Sequence, residues 1–174
     1  MSLQNNLTIV NADLADLQAL HEIEELSFSG KAASLDAFRY RLEKYSRWFF
    51  KAVSDEKIVA FINGCSSDRK YITDDLYLAG SPFLEEGENL LIFGLAVLPE
   101  FQGKGIARLL MERILTQAIK SGKKRASLTC KQSLIPFYEK LGYRNHGLSL
   151  SAVGGIKFYD MELDLLPFQT SGTA

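Results

Sequence analysis

The sequence predicts an α/β fold built on a mixed β-sheet. A continuous apolar run, NLLIFGLAVL at 89–98, has the length and composition of a strand buried on both faces. A helical segment and a second buried strand, RASLTC at 125–130, follow it, and this order is typical of a parallel βαβ unit. Two strand-like segments within 48–65, separated by a turn signal, predict a hairpin, and two alternating segments within 147–165 predict a final antiparallel pair.

The first quarter of the chain predicts one strand and two helices. LTIVNA at 7–12 begins as a short strand, and a helix is expected from Asp13 to Ser27. The apolar residues of that helix share one face: Leu17, Leu20 and Ile23. Ser34 has the side chain of a helix N-cap, which places the start of a second helix running to about Glu43.

The next segments predict a hairpin and a long connection. WFFKAV at 48–53 and KIVAFINGC at 57–65 are strand-like, and the turn-forming SDE separates them. Residues 66–88 are polar and irregular. Long ordered loops in compact domains are often functional, so this connection is a candidate for part of a site.

The second half predicts two helices and a closing strand pair. An amphipathic helix is expected from Gly105 to Ser121, and a short one from Ser133 to Leu141, with a glycine directly after each. The alternating segments GLSLSAV at 147–153 and KFYDMELDL at 157–165 predict a final antiparallel pair.

Length and composition predict one domain, 1–174, and exclude several functions. The net charge is -1, so the chain lacks the excess positive charge expected of a protein that binds nucleic acid or an anionic membrane. No apolar run has the length of a membrane span and the N-terminus lacks a signal-peptide pattern, so a cytoplasmic location is expected. The two cysteines, Cys65 and Cys130, have no metal-type spacing and are expected to be buried free thiols; no metal is predicted.

A glycine-rich turn, PEFQGKGIARLLMER at 99–113, lies between the buried strand and the long helix. The first N–H groups of a helix have no partner within it, and glycines let the backbone approach a ligand closely. The turn is therefore a candidate phosphate site, although a tight strand-to-helix corner also favours glycine. It is neither a P-loop nor a Gly-x-Gly-x-x-Gly turn, since Arg108 occupies the last position of the latter.

What the turn does match is Arg/Gln-x-x-Gly-x-Gly/Ala, here Gln102-x-x-Gly105-x-Ala107. LAVLPEF precedes it and PFYEKLGY follows one strand later, and this combination resembles the GNAT superfamily of N-acetyltransferases. AASL at 32–35, LTCKQSLIPFYEKLGY and GIKFYDMEL look like the arylalkylamine N-acetyltransferases and their bacterial relatives. The resemblance implies a central mixed sheet of about six to seven strands, with helices on both faces, and acetyl-CoA as cosubstrate.

The resemblance also implies roles for individual residues. The backbone of Leu95, Ala96 and Val97 would pair with the pantetheine arm of acetyl-CoA. The pyrophosphate would be held by the backbone of the turn: Gln102, Gly103, Lys104, Gly105, Ile106 and Ala107. Ser133 and Tyr138 would lie near the thioester, with Tyr138 as the acid that protonates the leaving thiolate. Packing of its helix on the sheet is the alternative role of Tyr138.

The acceptor implied by the resemblance is a small (aryl)alkylamine that attacks the thioester directly in a ternary complex. The walls of the pocket that holds this amine would include Phe28, Leu95, Val153 and Phe158, residue types that are also ordinary in a protein core. The arylalkylamine subfamily often carries His-x-His before Leu-Ala-Val, but Leu91 and Phe93 stand at those positions. The base is therefore unassigned, and Glu88 is one candidate acting through water.

Two other functions stay open at this point. A protein N-terminal or lysine acetyltransferase would share these motifs, and a non-catalytic acyl-CoA sensor would explain the missing histidines. A small-molecule amine is the expected partner, and a homodimer is left open.

Overall fold

A computed structural model describes residues 6–81 and 85–169. Its strands are β1 Leu7–Asn11, β2 Phe49–Ser54, β3 Lys57–Ser67, β4 Asn89–Val97, β5 Arg125–Cys130, β6 Arg144–Leu148 and β7 Tyr159–Asp164. Its helices are α1 Leu17–Ser27, α2 Leu35–Lys44, α3 Ile106–Lys120, α4 Ile135–Lys140 and α5 Leu166–Gln169, with short 3₁₀ turns between elements.

The seven strands form one sheet in the order β1-β2-β3-β4-β5-β7-β6. β4 and β5 are parallel, paired from Asn89 opposite Arg125 to Ile92 opposite Leu128, and β4 then continues to Val97. β5 pairs antiparallel with β7, and so does β6. The predicted mixed sheet of about six to seven strands and its parallel βαβ unit are confirmed.

Side-chain caps stand at the start of the first two helical segments. The Asp13 carboxylate accepts from the N–H of Ala15 at 2.8 Å and caps a 3₁₀ turn that leads into α1. The Ser34 hydroxyl oxygen accepts from the N–H of Ala37 at 3.1 Å and caps α2, as predicted. These caps satisfy N–H groups that no carbonyl within the helix can reach.

One strand prediction was wrong. β6 is Arg144–Leu148, not 147–153, and β7 begins at Tyr159. The alternation in GLSLSAV does not reflect one buried face, since Leu148 is 60% exposed and Leu150 is 89% exposed. Gly147 has φ +94°, and the pairing with β7 shifts register between Asn145 and Leu148, where an irregularity interrupts the ladder before Leu148 pairs with Tyr159.

The chain divides into two compact units. The first comprises the residues up to Gly64, Leu78–Gly80 and Gly94–Ile114, and the second comprises Cys65–Tyr77, Ser81–Phe93 and the residues from Leu115 onward. The prediction of one domain over 1–174 stays a prediction.

The core of the first unit is a cluster of buried aromatic and aliphatic side chains. Phe38 of α2 meets Phe49 and Phe61 edge to face, at centroid distances of 5.7 and 5.5 Å. Around them pack Ala12, Leu20, Ile23, Leu42, Ala96 and Leu98. This cluster joins α1 and α2 to the part of β4 that precedes the glycine turn, which fixes where that turn begins.

Candidate functional site

The glycine turn adopts a conformation that needs its glycines. Gly103 and Gly105 have φ values of +72° and +82°, a region that side chains disfavour. A Cβ on either residue would meet no other atom within 4 Å, so the space above the turn is open. α3 starts at Ile106 directly after the turn. Open space at a helix N-terminus with bare backbone fits a phosphate group.

Side chains of the turn hold it in place. Gln102 Nε2 donates to the carbonyl of Val97 at 3.0 Å and ties the turn to the end of β4. The N–H of Gln102 donates to the carbonyl of Pro99 at 3.2 Å. Of the six residues predicted to bind phosphate, Gln102 thus has its N–H engaged within the turn. The phosphate prediction then rests on the N–H groups from Gly103 to Ala107.

The charge around the turn is positive. Lys104 Nζ donates to the carbonyl of Glu100 at 2.8 Å and lies 5.1 Å from the centre of the Phe101 ring. Lys57 approaches the Glu100 carboxylate at 3.2 Å. The pKa of Glu100 is lowered, first by its own backbone N–H and then by Lys57. Two ammonium groups against one carboxylate leave a positive balance that favours an anion.

The predicted pantetheine segment lies at the end of β4, in the same unit as the turn. Ala96 is buried, whereas Leu95 and Val97 are half-buried. The N–H of Leu98 donates to the carbonyl of Val59 at 2.9 Å, which fixes this end of β4 against β3. The structure thus places Leu95, Ala96 and Val97 immediately before the glycine turn.

Tyr138 lies in α4 of the second unit and is 7% exposed. Its ring contacts Phe137 and Tyr143, with centroids 5.0 and 5.8 Å away. Burial, and then the neighbouring Cys130, raise the pKa of Tyr138 well above its usual value. The phenol therefore stays protonated at neutral pH, and the same burial makes it a weaker acid. Ser133 is exposed in the 3₁₀ turn before α4.

The cysteines are buried and free, as predicted. Burial raises the pKa of the Cys130 thiol to about 11, so it is a thiol and not a thiolate at neutral pH. A neutral buried thiol is a poor nucleophile. Among the described residues, no group of three or more His, Cys, Asp or Glu side chains is placed to hold a metal ion.

The predicted acceptor walls are only partly described. Phe28 follows α1 and packs, half-buried, against the core cluster of the first unit. Phe158 is half-buried in the second unit, where its carbonyl accepts from the N–H of Ser149 at 2.9 Å. The side chain of Val153 lies outside the described part of the structure. The roles of these residues stay predictions.

The positions of the missing histidines offer no proton acceptor. Leu91 is buried, and the ring of Phe93 lies 5.7 Å from that of Tyr77. Glu88, the other candidate base, is exposed and paired with Lys124. The Glu88 carboxylate is thus engaged by an ammonium group at the surface, and its role as a base stays a prediction.

Sequence reasoning missed a buried carboxyl group, Glu24 of α1, which is 6% exposed. The available signal was its spacing, four residues after Leu20 and thus on the apolar side of the helix. A charged residue is rarely buried without a partner, so a glutamate at such a position indicates a special role.

A model of the acetyltransferase (GNAT) family matches residues 17–143. Serotonin N-acetyltransferase of Mesocricetus auratus is 28% identical over 159 residues, covering 86% of this chain and 73% of that protein. An uncharacterized N-acetyltransferase of Methanocaldococcus jannaschii is 26% identical over 148 residues, and the match covers 78% of this chain and 60% of that protein.

Solved structures share the fold. The loading GNATL domain of CurA from Lyngbya majuscula superposes with a TM-score of 0.82 at 16% identity, covering 92% of this chain and 98% of that domain. Across residues 6–81 and 85–169, none of the helices combines the length and apolar character needed to cross a membrane.

Proposed function

The chain belongs to the acetyltransferase (GNAT) family, and from this premise we propose that it acetylates a small (aryl)alkylamine. As a family member it is an acyltransferase with acetyl-CoA as its cosubstrate. The single observation that supports acetyl-CoA binding in this proposal is the open glycine turn before α3, with its two glycines at positive φ. The whole 1–174 chain is proposed to serve as one catalytic domain.

The turn and the end of β4 receive the donor in this proposal. The N–H groups from Gly103 to Ala107 bind the pyrophosphate, and the backbone of Leu95, Ala96 and Val97 pairs with the pantetheine. Ser133 contributes a hydroxyl to the donor. The positive balance of Lys57 and Lys104 over Glu100 supports an anionic ligand at the turn.

Acetyl transfer proceeds by direct attack of the amine on the thioester. An amine of pKa about 10 is unprotonated in about one molecule in a thousand at pH 7, so supplying that form costs about 4 kcal/mol. Holding two substrates together lowers the barrier by about 7–11 kcal/mol, more than that cost. The raised pKa of Cys130, about 11, argues against an acetyl-cysteine intermediate. Tyr138 protonates the leaving thiolate.

The acceptor class rests on two supports. The first is the similarity to serotonin N-acetyltransferase, at 28% identity. The second is the apolar character of the proposed acceptor walls, Phe28, Leu95, Val153 and Phe158. The aromatic ring of an arylalkylamine gains more binding energy against such apolar walls than a charged lysine side chain of a peptide does.

A panel of acceptors tests this proposal. With acetyl-CoA saturating, we expect tryptamine and phenylethylamine to give a higher kcat/KM than a lysine-containing peptide or a free N-terminal peptide. The rate of CoA thiol release reports each acceptor, and mass spectrometry identifies the acetylated product.

The opposite ranking would overturn the small-amine proposal in favour of a protein acetyltransferase. Binding of acetyl-CoA without release of thiol for any acceptor would favour the sensor alternative. Release of thiol in the absence of any amine is the background control, because it measures hydrolysis alone.

A further inference from the structure

The pairing between β4 and β5 stops before either strand ends. The two strands pair only as far as Ile92 opposite Leu128, although both run further. Within the described strands, the two backbone edges are not paired with each other from Phe93 and Thr129 onward. This opening between the strands begins in the second unit, which also contains the proposed acid Tyr138.

Polar and aromatic side chains lie beside the opening on one face of the sheet. In β5, Ser127 and Thr129 share a face, because alternate residues of a strand point to the same side. Ser127 stands beside Leu91 of β4, so Phe93, two residues further on, shares that face. Thr129 stands opposite Asp160 of β7. Such a pair has Cβ atoms about 4.5–5.5 Å apart, so the hydroxyl and the carboxyl are neighbours.

Tyr77 lies over the same face. Its hydroxyl oxygen is 3.2 Å from Thr129 Oγ1, and its ring centroid is 5.7 Å from that of Phe93. Tyr77, Phe93, Thr129 and Asp160 are all half-buried, whereas Ser127, further back along β5, is 1% exposed. Each of the four half-buried residues keeps part of its surface in solvent. A small ligand can therefore contact them from outside, without entering the core.

Of two neighbouring carboxylates of β7 on this face, one is already paired. Glu162 approaches Arg125 and His146, each at 3.9 Å. Asp160 forms no ion pair with the residues that the structure describes, and its carboxyl is hydrogen-bonded by Ser149. A cationic ligand that reaches this face therefore finds Asp160 as the carboxylate without a cation.

The Asp160 carboxyl also has a raised affinity for protons. Its Oδ1 is covered by protein and has no hydrogen-bond partner among the described residues. Burial raises the pKa of Asp160, and the Ser149 hydrogen bond and then His146 partly offset that rise. Tyr71 and Glu162 are its other titratable neighbours, since both carboxylates raise the pKa of the Tyr71 phenol. A carboxylate of raised pKa is a stronger base.

The proposed acceptor wall Phe158 is tied to the same carboxyl. Phe158 stands two residues before Asp160, and Ser149 contacts both. The Ser149 N–H donates to the Phe158 carbonyl at 2.9 Å, and its side chain hydrogen-bonds to the Asp160 carboxyl. An apolar residue and an anion, the two groups that an arylalkyl ammonium ion needs, thus adjoin within one unit.

A solvent-reached carboxylate beside two aromatic rings suits a primary ammonium ion, because both the anion and the ring faces attract a cation. From this arrangement we infer that the face beside the opening binds the ammonium group of the acceptor, and that Asp160 holds this group and takes one of its protons. The hydroxyls of Tyr77 and Thr129 accept hydrogen bonds from its other N–H groups. This inference rests on the proposed acetyltransferase function.

The proposed acid lies on the other side of the sheet. Cys130 follows Thr129 in β5 and therefore points to the opposite face. Tyr138 lies beside Cys130, which contributes to the raised pKa of its phenol. The amine thus arrives on the face of Asp160 while Tyr138 stands on the other, so the two proton transfers use different groups.

The protons balance. The ammonium group gives one proton to the Asp160 carboxylate, which later releases it to solvent. The nitrogen lone pair attacks the thioester carbon, and the C–S bond breaks. The nitrogen loses a second proton as the amide forms, and the departing sulfur gains one to become CoA thiol.

Asp160→Asn is the direct test, measured with two acceptors of similar shape. Phenylethylamine is almost entirely protonated at pH 7, whereas its β,β-difluoro derivative is a much weaker base and largely neutral. We expect kcat/KM for phenylethylamine at pH 7 to fall by about 10²–10⁴-fold, and to recover as pH rises toward the pKa of the amine. The difluoro derivative should lose little, because a neutral amine offers no charge to hold and needs no deprotonation before attack.

Glu162→Gln is the matched control, since Glu162 lies on the same strand and the same face but is already paired. Whatever loss it causes should be the same factor for both acceptors. A dependence on the charge of the acceptor should appear only with Asp160→Asn. Both variants should keep the rise in Tm with acetyl-CoA, because neither residue belongs to the proposed donor site.

Ser149→Ala tests the same carboxyl without removing it, and decides the question if Asp160→Asn does not fold. The Ser149 hydrogen bond lowers the pKa of Asp160, so its loss should raise that pKa. The base must be ionised to act, so the acidic limb of kcat/KM for phenylethylamine should move to higher pH. In Asp160→Asn that limb should be absent.

The outcomes separate this inference from the proposed function. If wild type acetylates phenylethylamine and Asp160→Asn loses nothing, or the same factor with both acceptors, the inference fails and the proposed function stands. An acidic limb in Ser149→Ala that coincides with that of wild type also overturns the role of Asp160. If wild type releases no thiol with any amine, the proposed function fails, and the inference fails with it.

Discussion

Replacing Gly105 with aspartate is expected to abolish the rise in Tm that acetyl-CoA gives the wild-type protein. Gly105 has φ +82° and open space where a Cβ would stand. Aspartate fills that space and brings a negative charge to the proposed phosphate position. At a ligand concentration of 100 Kd the wild type should gain about 2.7 kcal/mol, or about 5–11 °C in Tm.

Gly80→Asp is the matched control for backbone strain. Gly80 has φ +77° and a similarly open Cβ position, but it lies in a loop outside the turn. Both variants should lose about 1 kcal/mol of stability from the strained conformation. Only Gly105→Asp should lose the response to acetyl-CoA. Thermal unfolding with and without ligand measures this, and a retained shift in Gly105→Asp would remove the turn from the donor site.

Removing the hydroxyl of Tyr138 is expected to lower kcat while leaving the Kd for acetyl-CoA unchanged. Tyr138→Phe keeps the ring and its contacts with Phe137 and Tyr143. The loss should be at least about tenfold, and at most the 10²–10⁴-fold typical of acid catalysis. The lower end is favoured because a thiolate departs readily even without a proton.

The pH dependence of this loss follows from burial. The pKa of Tyr138 is raised above the ordinary tyrosine value of 10.0, so its hydroxyl stays protonated through the neutral and mildly alkaline range. The ratio of wild-type to Tyr138→Phe kcat should therefore be constant between pH 6 and about 9. Steady-state rates across that range measure it.

Tyr143→Phe is the control for packing, because Tyr143 is buried beside Tyr138. We expect its kcat to match wild type even if its Tm falls. An equal loss of kcat in both variants would show that packing of α4, and not a proton from Tyr138, limits the rate. Wild-type kcat in Tyr138→Phe would leave the reaction without an identified acid.

Apolar runs and capping residues predicted most of the helices and strands, because burial and helix capping depend on residues that are close in sequence. The run at 89–98 became β4, whose first four residues are buried as the apolar run predicts and whose end is partly half-buried. Ser34 capped α2 because only side chains of its type satisfy the first N–H groups of a helix. The failure at β6 arose because alternation alone cannot show the register shift that the strand makes around Gly147.

The place where Glu24 and Asn63 meet beside Gly94 could not be predicted in the same way. Glu24, Asn63 and Gly94 are far apart in sequence, and each has an ordinary local explanation. Glu24 continues a helix, Asn63 sits in a strand, and Gly94 in a strand indicates only a bulge or a close approach. Their meeting depends on how α1 packs against β3 and β4, which no local pattern encodes.

Acetyl-CoA that carries a label in its acetyl group is incubated with the enzyme, with and without tryptamine. The label then shows which molecule receives the acetyl group. We expect labelled N-acetyltryptamine in an amount equal to the CoA thiol released. The protein should carry no label, and almost no thiol should be released without the amine. Stable binding of acetyl-CoA with no labelled amine, or label retained on the protein as an acyl-enzyme, would contradict direct transfer to an amine.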